Sequence, residues 1–209
     1  ETKILLMSDY QFKNQLEEFS YALGLSISAN LIQSGVKEID PSMFLGGIQD
    51  VFSGNKPSMS MDEANNILQQ FIMAGNAEIA NKNLEDGLLF LSDNVNNDGV
   101  VETESGLQYK ILKEGNGVSP TINDQIKCHY HGTLLDGTVF DSSVERRQPA
   151  VFPVNAVIRG WTEALQLMSV GAKWRLFIPS NLAYGEQGAG GLIGPNATLI
   201  FDVDLLEIV

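Results

Sequence analysis

The chain has 209 residues, 44% of them hydrophobic, and a formal net charge of −13 at pH 7. This composition indicates a globular protein of one or two domains with a sizeable core. The acidic balance disfavours nucleic acid or an anionic membrane surface as the main partner. The single cysteine, Cys128, excludes an intrachain disulfide, and no apolar run of about 18 residues predicts a transmembrane helix.

The localisation stays open at this point. The first residue is Glu1 rather than Met. If a leader was removed, a bacterial periplasmic or outer-membrane-surface location is expected, and otherwise a cytoplasmic one.

The first helical stretch is predicted from about Asp9 to Ser34, and Gly35 is expected to end it. Its apolar residues recur at spacings of three and four: Phe12, Leu16, Phe19, Leu23 and Ile27. Gly24 and Ser28 lie four residues apart, where small side chains permit the close approach of another helix or an ordinary tertiary contact. Residues 1–8 show no clear period.

Two further helices are marked by their start signals. Asp40-Pro41 places an N-cap residue before a proline at the first helical position, and Gly54 is expected to end this second helix. Ser60 and Glu63 form a capping box that opens a third helical stretch reaching to about Val95. About 35 residues at ~1.5 Å per residue would span roughly 50 Å, and the polar middle of this stretch predicts a bridge between domains.

Asn96-Asn97-Asp98-Gly99 breaks the helical pattern and predicts a domain boundary. The predicted organisation is a helical dimerisation domain at 1–75, a linking part of the long helix at 76–98, and a second domain at 99–209. The short N-terminal helices are apolar on several sides, and small domains struggle to bury enough surface alone. We therefore expect a homodimer through residues 10–75, with a self-contained three-helix unit as the alternative.

Beyond the boundary, apolar and polar residues alternate along the chain, as they do in β-strands. Strands are predicted at 107–112, 125–131, 174–178 and 197–209, with Asp136-Gly137 as a turn. One short helix is predicted from Gly160 to Met168, and Gly171 is expected to end it. The fold class is therefore α+β, with helices first and then a mainly antiparallel sheet that holds one short helix.

The sequence has no plausible nucleophile and base at motif spacing, and no P-loop. The glycine-rich stretch 185–194 follows a tyrosine and precedes a strand, so it is a weak candidate for a phosphate site. His129 and His131 point to one face of a strand and lack a clear third ligand, so neither a metal site nor a cofactor is expected.

Aromatic residues are concentrated near turns and strand ends: Tyr130, Phe140, Phe152, Trp161, Tyr184 and Phe201. They can form a core, or they can line an apolar pocket with Trp161 as its floor. Asp141 follows Phe140, and a carboxylate beside a buried aromatic ring needs a donor, for which the Tyr130 hydroxyl is suitable.

Four motifs in this region resemble the FKBP-type peptidyl-prolyl cis-trans isomerases, in order and in spacing. They are Val-Phe-Asp-Ser-Ser (139–143), Val-Ile-Arg-Gly-Trp (157–161), Leu-Ala-Tyr-Gly (182–185) and Ala-Thr-Leu-Ile-Phe-Asp-Val-Asp-Leu-Leu (197–206). The resemblance covers about 105–209 and implies an antiparallel half-barrel sheet wrapped around the short helix. More weakly, Tyr21-Ala-Leu-Gly and Gly47-Ile-Gln-Asp-Val-Phe resemble the dimerisation domain of the macrophage infectivity potentiator (Mip) subgroup.

The resemblance implies a role for each matching residue. Trp161 would be the floor of a proline pocket and Phe152 would pack beneath the site. The Ile158 N–H and the Tyr184 hydroxyl would bind the peptide, and Asp141 would lie against the twisting amide, held by Tyr130 and Arg146. The implied walls of the pocket are Tyr130, Phe140, Val157, Ile158 and Phe201.

The implied activity is isomerisation of X–Pro bonds in peptides and unfolded proteins, and the implied inhibitors are macrolides of the rapamycin type. Two alternatives accompany this hypothesis: a dimeric chaperone with incidental isomerase activity, and a core made of all the aromatic residues. Ala150, Ala189 and the glycine-rich 188–194 loop depart from the family's common pattern, which affects the rim of the pocket and the sequence preference.

Overall fold

A computed structural model describes residues 10–34, 36 and 38–209. The chain divides into two compact units with the boundary between Ile72 and Met73. We call them the helical unit and the sheet unit. The expectations for residues 1–8 and for Gly35 lie outside the described residues.

The helical unit contains α1 (Gln15–Gln33), α2 (Pro41–Ser53) and the beginning of α3 (Met61–Asn94). The predicted start of α1 near Asp9 is wrong, because residues 10–14 are not helical and the side chain of Asn14 caps the helix by accepting from the Glu17 N–H. The predicted ends of α2 are confirmed. Asp40 accepts from the Ser42 N–H at 2.8 Å, and Gly54 has a φ of 67°.

Helix α3 begins at the predicted capping box. The Ser60 N–H donates to the Glu63 carboxylate at 2.8 Å, and the Glu63 N–H donates back to the Ser60 hydroxyl at 3.2 Å. The helix continues unbroken to Asn94, and the predicted break at Asn96–Gly99 is confirmed by turns that end in Gly99 with a φ of 76°.

The C-terminal part of α3 packs within the sheet unit. Leu91 and Asn94 are buried there. Asn94 donates to the side-chain oxygen of Gln108 at 2.8 Å, and Gln108 donates to the Leu91 carbonyl at 2.9 Å. This buried polar contact satisfies both amides and fixes the helix against the first part of the sheet.

Seven antiparallel strands form one sheet in the order β1-β2-β6-β7-β3-β4, and β5 also pairs with β3. The strands are β1 (Val100–Glu102), β2 (Gln108–Lys113), β3 (Gln125–Thr133), β4 (Val139–Ser142), β5 (Ala150–Pro153), β6 (Lys173–Ile178) and β7 (Leu199–Ile208). Short 3₁₀ turns cover 154–156, 180–182 and 185–187. The edge strands β1 and β5 are too short for an alternation of apolar and polar residues to predict them from the sequence.

The core lies between the sheet and the helix α4 (Arg159–Leu167). Alternate residues of β7 face it, and so do Trp161, Ala164 and Leu165 of α4. Met168 is the C-cap of α4, so the expectation that Gly171 ends this helix is wrong. Gly171, with a φ of 88°, lies in the turn before β6.

The predicted α+β fold class is confirmed, with its helical N-terminal part and its open antiparallel sheet holding one short helix. Among the described residues, no helix is long and apolar enough to cross a membrane.

Candidate active site

A cavity of about 610 Å³ opens between α4, the sheet and the loop before β7. It lies entirely within the sheet unit. Its lining is mostly apolar, with one carboxylate, as is typical of ligand sites. The lining residues are Tyr130, Phe140, Asp141, Phe152, Ala156, Val157, Ile158, Trp161, Tyr184, Ala189, Gly190, Leu192, Ile193 and Phe201.

Trp161 lies at the centre of the aromatic lining and is only 4% exposed. Three rings meet it edge-on, with centroid distances of 5.5 Å to Tyr130, 5.2 Å to Phe201 and 6.0 Å to Phe152. Phe140 meets Phe201 in the same way at 5.3 Å. These T-shaped contacts hold the rings in fixed orientations, so the cavity is largely preformed.

Helix α4 can approach the sheet closely because residue 160 is glycine. A Cβ at Gly160 would lie 2.6 Å from Cγ2 of Ile178 on β6. The N-cap residue Ile158 accepts at its carbonyl from the N–H groups of Trp161 and Thr162. The sequence Ile-Arg-Gly-Trp therefore turns the chain into α4 and places the indole in the cavity floor.

The polar edge of the cavity is formed by Asp141, Tyr130 and Arg146. The Tyr130 hydroxyl donates to Oδ2 of Asp141 at 2.5 Å, and Arg146 donates both to Oδ1 of Asp141 and, at 2.8 Å, to the Tyr130 oxygen. The tyrosine hydroxyl thus has a partner for its proton and for its oxygen. The Asp141 carboxylate held in this way is the charged group in the lining of the cavity.

The pairing of β3 with β4 places this edge. Gly132 is opposite Asp141, and a Cβ at Gly132 would lie 2.7 Å from Cζ of Phe140. Beyond β4, Ser143 is fully buried and its hydroxyl accepts from the Tyr130 N–H at 2.8 Å. The glycine lets the aromatic ring lie across the strand, and the serine fixes the backbone that carries Tyr130.

The two acidic groups of this edge have displaced pKa values. Burial raises the pKa of Tyr130, and its hydrogen bond to Asp141 raises it further. Burial alone would raise the pKa of Asp141. The hydrogen bonds from Tyr130 and Arg146 outweigh burial and leave the Asp141 pKa below its ordinary value. The carboxylate is therefore charged and the phenol neutral across the physiological range.

Of the ten residues predicted for the site, the structure places nine around the cavity. The tenth, Arg146, does not line it, and reaches Asp141 from an adjacent cavity of about 370 Å³. Sequence reasoning missed four lining residues. They are Ala156, Gly190, Leu192 and Ile193. Ala189 was noted only as a departure from the family pattern. These residues are small or aliphatic. The glycine-rich composition of 188–194 was a signal for the three in that loop, whereas Ala156 lies outside it.

The two histidines lie outside this cavity and each contacts a serine. Nδ1 of His129 lies 3.1 Å from the Ser143 hydroxyl, and Nδ1 of His131 lies 3.0 Å from that of Ser142. Within the part of the chain that the structure describes, no three His, Cys, Asp or Glu side chains are grouped to hold a metal ion.

Two family models match the chain. The model described as FKBP-type peptidyl-prolyl cis-trans isomerase matches residues 117–206. The model described as the domain amino terminal to FKBP-type peptidyl-prolyl isomerase matches residues 16–111.

Relatives match over most of their length. The chain is 44% identical over 194 residues to an FKBP-type 22 kDa peptidyl-prolyl cis-trans isomerase of Escherichia coli, covering 91% of this chain and 94% of that protein. It is 42% identical over 203 residues to the peptidyl-prolyl cis-trans isomerase Mip of Coxiella burnetii, covering 94% and 88%. The crystal structure of FkpA from Escherichia coli superposes with a TM-score of 0.69 at 34% identity, covering 95% and 98%.

These matches favour an isomerase over a chaperone with incidental activity, and they confirm the family predicted from the sequence. The chain belongs to the FKBP-type peptidyl-prolyl cis-trans isomerases.

Proposed function

We propose that the aromatic cavity is where this isomerase binds X–Pro bonds of peptides and unfolded proteins and accelerates their rotation. One observation carries this proposal: three aromatic rings surround Trp161 edge-on, and Asp141 is the charged group at their margin. The same cavity is the proposed site for macrolide inhibitors of the rapamycin type.

The reaction needs no covalent step. Rotation about an X–Pro bond must break C–N resonance, which costs about 18–20 kcal/mol. A 10³-fold acceleration requires only about 4 kcal/mol of extra transition-state binding. The twisted amide has lost resonance and much of its polarity, so a dry aromatic cavity stabilises it more than the planar amide.

Each lining residue has a proposed role in this binding. Trp161 is the floor under the proline ring, with Phe152 packed beside it. The Ile158 N–H and the Tyr184 hydroxyl donate to peptide carbonyls. The walls are Tyr130, Phe140, Val157, Ile158 and Phe201.

Asp141 is proposed to act on the rotating amide itself. Its charge faces the carbonyl carbon as the carbonyl turns out of the amide plane. Because the Tyr130 hydroxyl and Arg146 already contact Asp141, they orient the carboxylate and do not need to touch substrate.

The direct test is NMR exchange spectroscopy on a short Leu-Pro or Phe-Pro peptide. The full chain at catalytic concentration should raise the cis/trans exchange rate far above the uncatalysed value, and a rapamycin-type macrolide should abolish the gain. An unchanged exchange rate with folded protein would refute the proposed use of the cavity. Suppressed aggregation of a proline-free client without any isomerisation would support the chaperone alternative.

The activity should be nearly independent of pH from about 5 to 9. The lowered pKa of Asp141 keeps its carboxylate charged until the pH falls below the ordinary value near 3.9, and the raised pKa of Tyr130 keeps its hydroxyl protonated above neutrality. The stability contributed by Asp141 is present above its unfolded pKa and is lost as the pH falls through its folded pKa.

The measurement for this prediction is kcat/KM for one Leu-Pro peptide across that range, with the uncatalysed rate subtracted at each pH. A clear titration midpoint inside that range would contradict it.

We also propose that the helical unit forms a homodimer. Among residues 10–32, 34, 36 and 38–72, none is buried, and large apolar side chains such as Phe52 (86% exposed), Leu16 and Met43 lie open. Exposed apolar surface of this extent is typical of an interface rather than of a self-contained three-helix unit.

Sedimentation equilibrium should therefore give about twice the chain mass of 22.8 kDa. Replacing Phe52 by Glu places a charge in the proposed interface and should shift the equilibrium toward monomer. A wild-type monomer at micromolar concentration would contradict the proposed dimer and would leave the isomerase proposal unaffected.

A further inference from the structure

The loop 188–197 forms one wall of the cavity and has little internal structure to hold it. Ala189 and Ile193 exchange two backbone hydrogen bonds of 2.8 and 3.0 Å, and both line the cavity. Four of the seven residues from Gly188 to Gly194 are glycine. Glycine loses more backbone freedom on ordering than any other residue, so this wall needs outside support.

The outer side of this loop lies against helix α3, within the sheet unit. The side-chain amide of Asn83 donates to the Pro195 carbonyl at 2.8 Å. The side-chain amide of Asn196 donates in the other direction, to the Ala80 carbonyl of the helix at 3.4 Å. The side chains of two asparagines thus connect the helix to the loop, although the bonded residues are more than 100 positions apart in the sequence.

The approach of helix and loop is close because glycines lie at the contact. A Cβ at Gly194 would be 3.1 Å from Nδ2 of Asn83, and a Cβ at Gly87 would be 2.3 Å from Oγ1 of the buried Thr198. Glycine on the loop side leaves room for the Asn83 amide, and glycine on the helix side leaves room for the start of β7.

Asn196 also connects this contact to Tyr184. It has a φ of 55°, a conformation that asparagine tolerates better than most residues. Its backbone N–H donates to the carbonyl of Gly185 at 2.8 Å, directly after the tyrosine that lines the cavity. One residue therefore contacts the helix through its side chain and the Tyr184 turn through its backbone.

We infer that Asn83 and Asn196 are positioning residues for substrate binding: they hold the loop wall and the Tyr184 turn in place by fixing both to α3. This inference rests on the proposed use of the cavity by substrate. Asp141, Tyr130 and Trp161 lie on β4, β3 and α4, and their hydrogen bonds and ring contacts with one another do not involve Asn83. Loosening the loop should therefore weaken peptide binding and leave the chemical step nearly unchanged.

The test compares Asn83→Ala with Asn81→Ala in the full chain. Asn81 is an exposed asparagine two residues away, which turns it by about 200° around the same helix. Both substitutions gain the same helix propensity, so that effect cancels. Loss of one part-buried hydrogen bond should raise KM for a Leu-Pro peptide about fivefold in Asn83→Ala only, with kcat within about twofold of wild type.

A second readout follows the loop itself. Amide hydrogen exchange of residues 189–193 should accelerate in Asn83→Ala and stay at the wild-type rate in Asn81→Ala. Asn196→Gly can still adopt the positive φ but lacks the side chain. It should therefore also raise KM, by a smaller factor than Asn83→Ala.

Equal KM values and equal loop exchange in the two Asn→Ala variants would overturn this inference. That outcome leaves the proposed function intact if Trp161 and Asp141 variants still lose activity. If those variants keep full activity as well, the proposed cavity is wrong.

Discussion

Replacing Trp161 by alanine is expected to lower the free energy of unfolding by about 3–5 kcal/mol, the usual cost of truncating a buried tryptophan. The ring contacts Tyr130, Phe152 and Phe201 edge-on, so its removal also leaves three partners without their packing surface. The floor covers a proline ring about as large as a valine side chain, whose burial is worth about 1.5–3 kcal/mol. We therefore expect kcat/KM to fall by about 10- to 100-fold.

Trp174→Ala is the matched control for this prediction. Trp174 is 5% exposed against 4% for Trp161, and neither indole N–H has an acceptor among the described residues. Trp174 stacks on Tyr109 with a centroid distance of 4.2 Å and does not line the cavity. It should lose comparable stability in urea titrations, yet keep kcat/KM within about threefold of wild type when assayed where both variants are folded. Equal losses of activity in the two variants would contradict the floor role.

The local signals in the sequence predicted the helices well, because capping is decided by a few neighbouring residues. Asp40 and the Ser60–Glu63 pair specify helix starts through hydrogen bonds that span only two or three residues. The start of α1 was predicted too early, since the apolar period extends upstream of Asn14 while the cap does not. Phe12 continues that period outside the helix, and the rings of Tyr10 and Phe12 each lie 5.3 Å from that of Tyr21.

The cavity was predictable in part because aromatic rings and a carboxylate are distinctive side chains. Their grouping came from a family resemblance rather than from spacing, since Phe140 and Phe201 are 61 residues apart in sequence and meet only when β7 pairs with β3. The register between β3 and β4 shifts at Gly132 and Thr133, and the close approach of the Phe140 ring to Gly132 is visible only in the structure.

The loop wall could not be read from the sequence for a different reason. Its contribution is made by backbone and small side chains, and its support comes from Asn83, which lies 112 residues before the carbonyl it binds. From the sequence alone, an asparagine in the polar middle of a long helix is expected to be exposed to solvent. Only the structure distinguishes Asn83, which contacts the loop, from the exposed Asn81 two positions earlier.

Replacing Asp141 by leucine is expected to lower kcat/KM by about 10- to 100-fold, the range of one hydrogen bond to a charged group. Leucine removes the acceptor of the Tyr130 hydroxyl and of Arg146, and it removes the charge at the cavity edge. Stability should change little, because exposed Arg–Asp pairs typically contribute about 0–1 kcal/mol. Activity and stability are therefore expected to separate, in contrast to Trp161→Ala.

Asp202→Leu provides the matched control, because Asp202, like Asp141, accepts two hydrogen bonds and is paired with an arginine. Arg175 donates to its two oxygens at 2.6 and 2.9 Å. Asp202 lies between the buried Phe201 and Val203 on β7, so its side chain points to the sheet face opposite the core. This variant should keep the wild-type exchange rate of a Leu-Pro peptide in NMR. If Asp141→Leu also keeps it while folded, catalysis arises from the aromatic cavity alone and the carboxylate only holds Tyr130 and Arg146 in place.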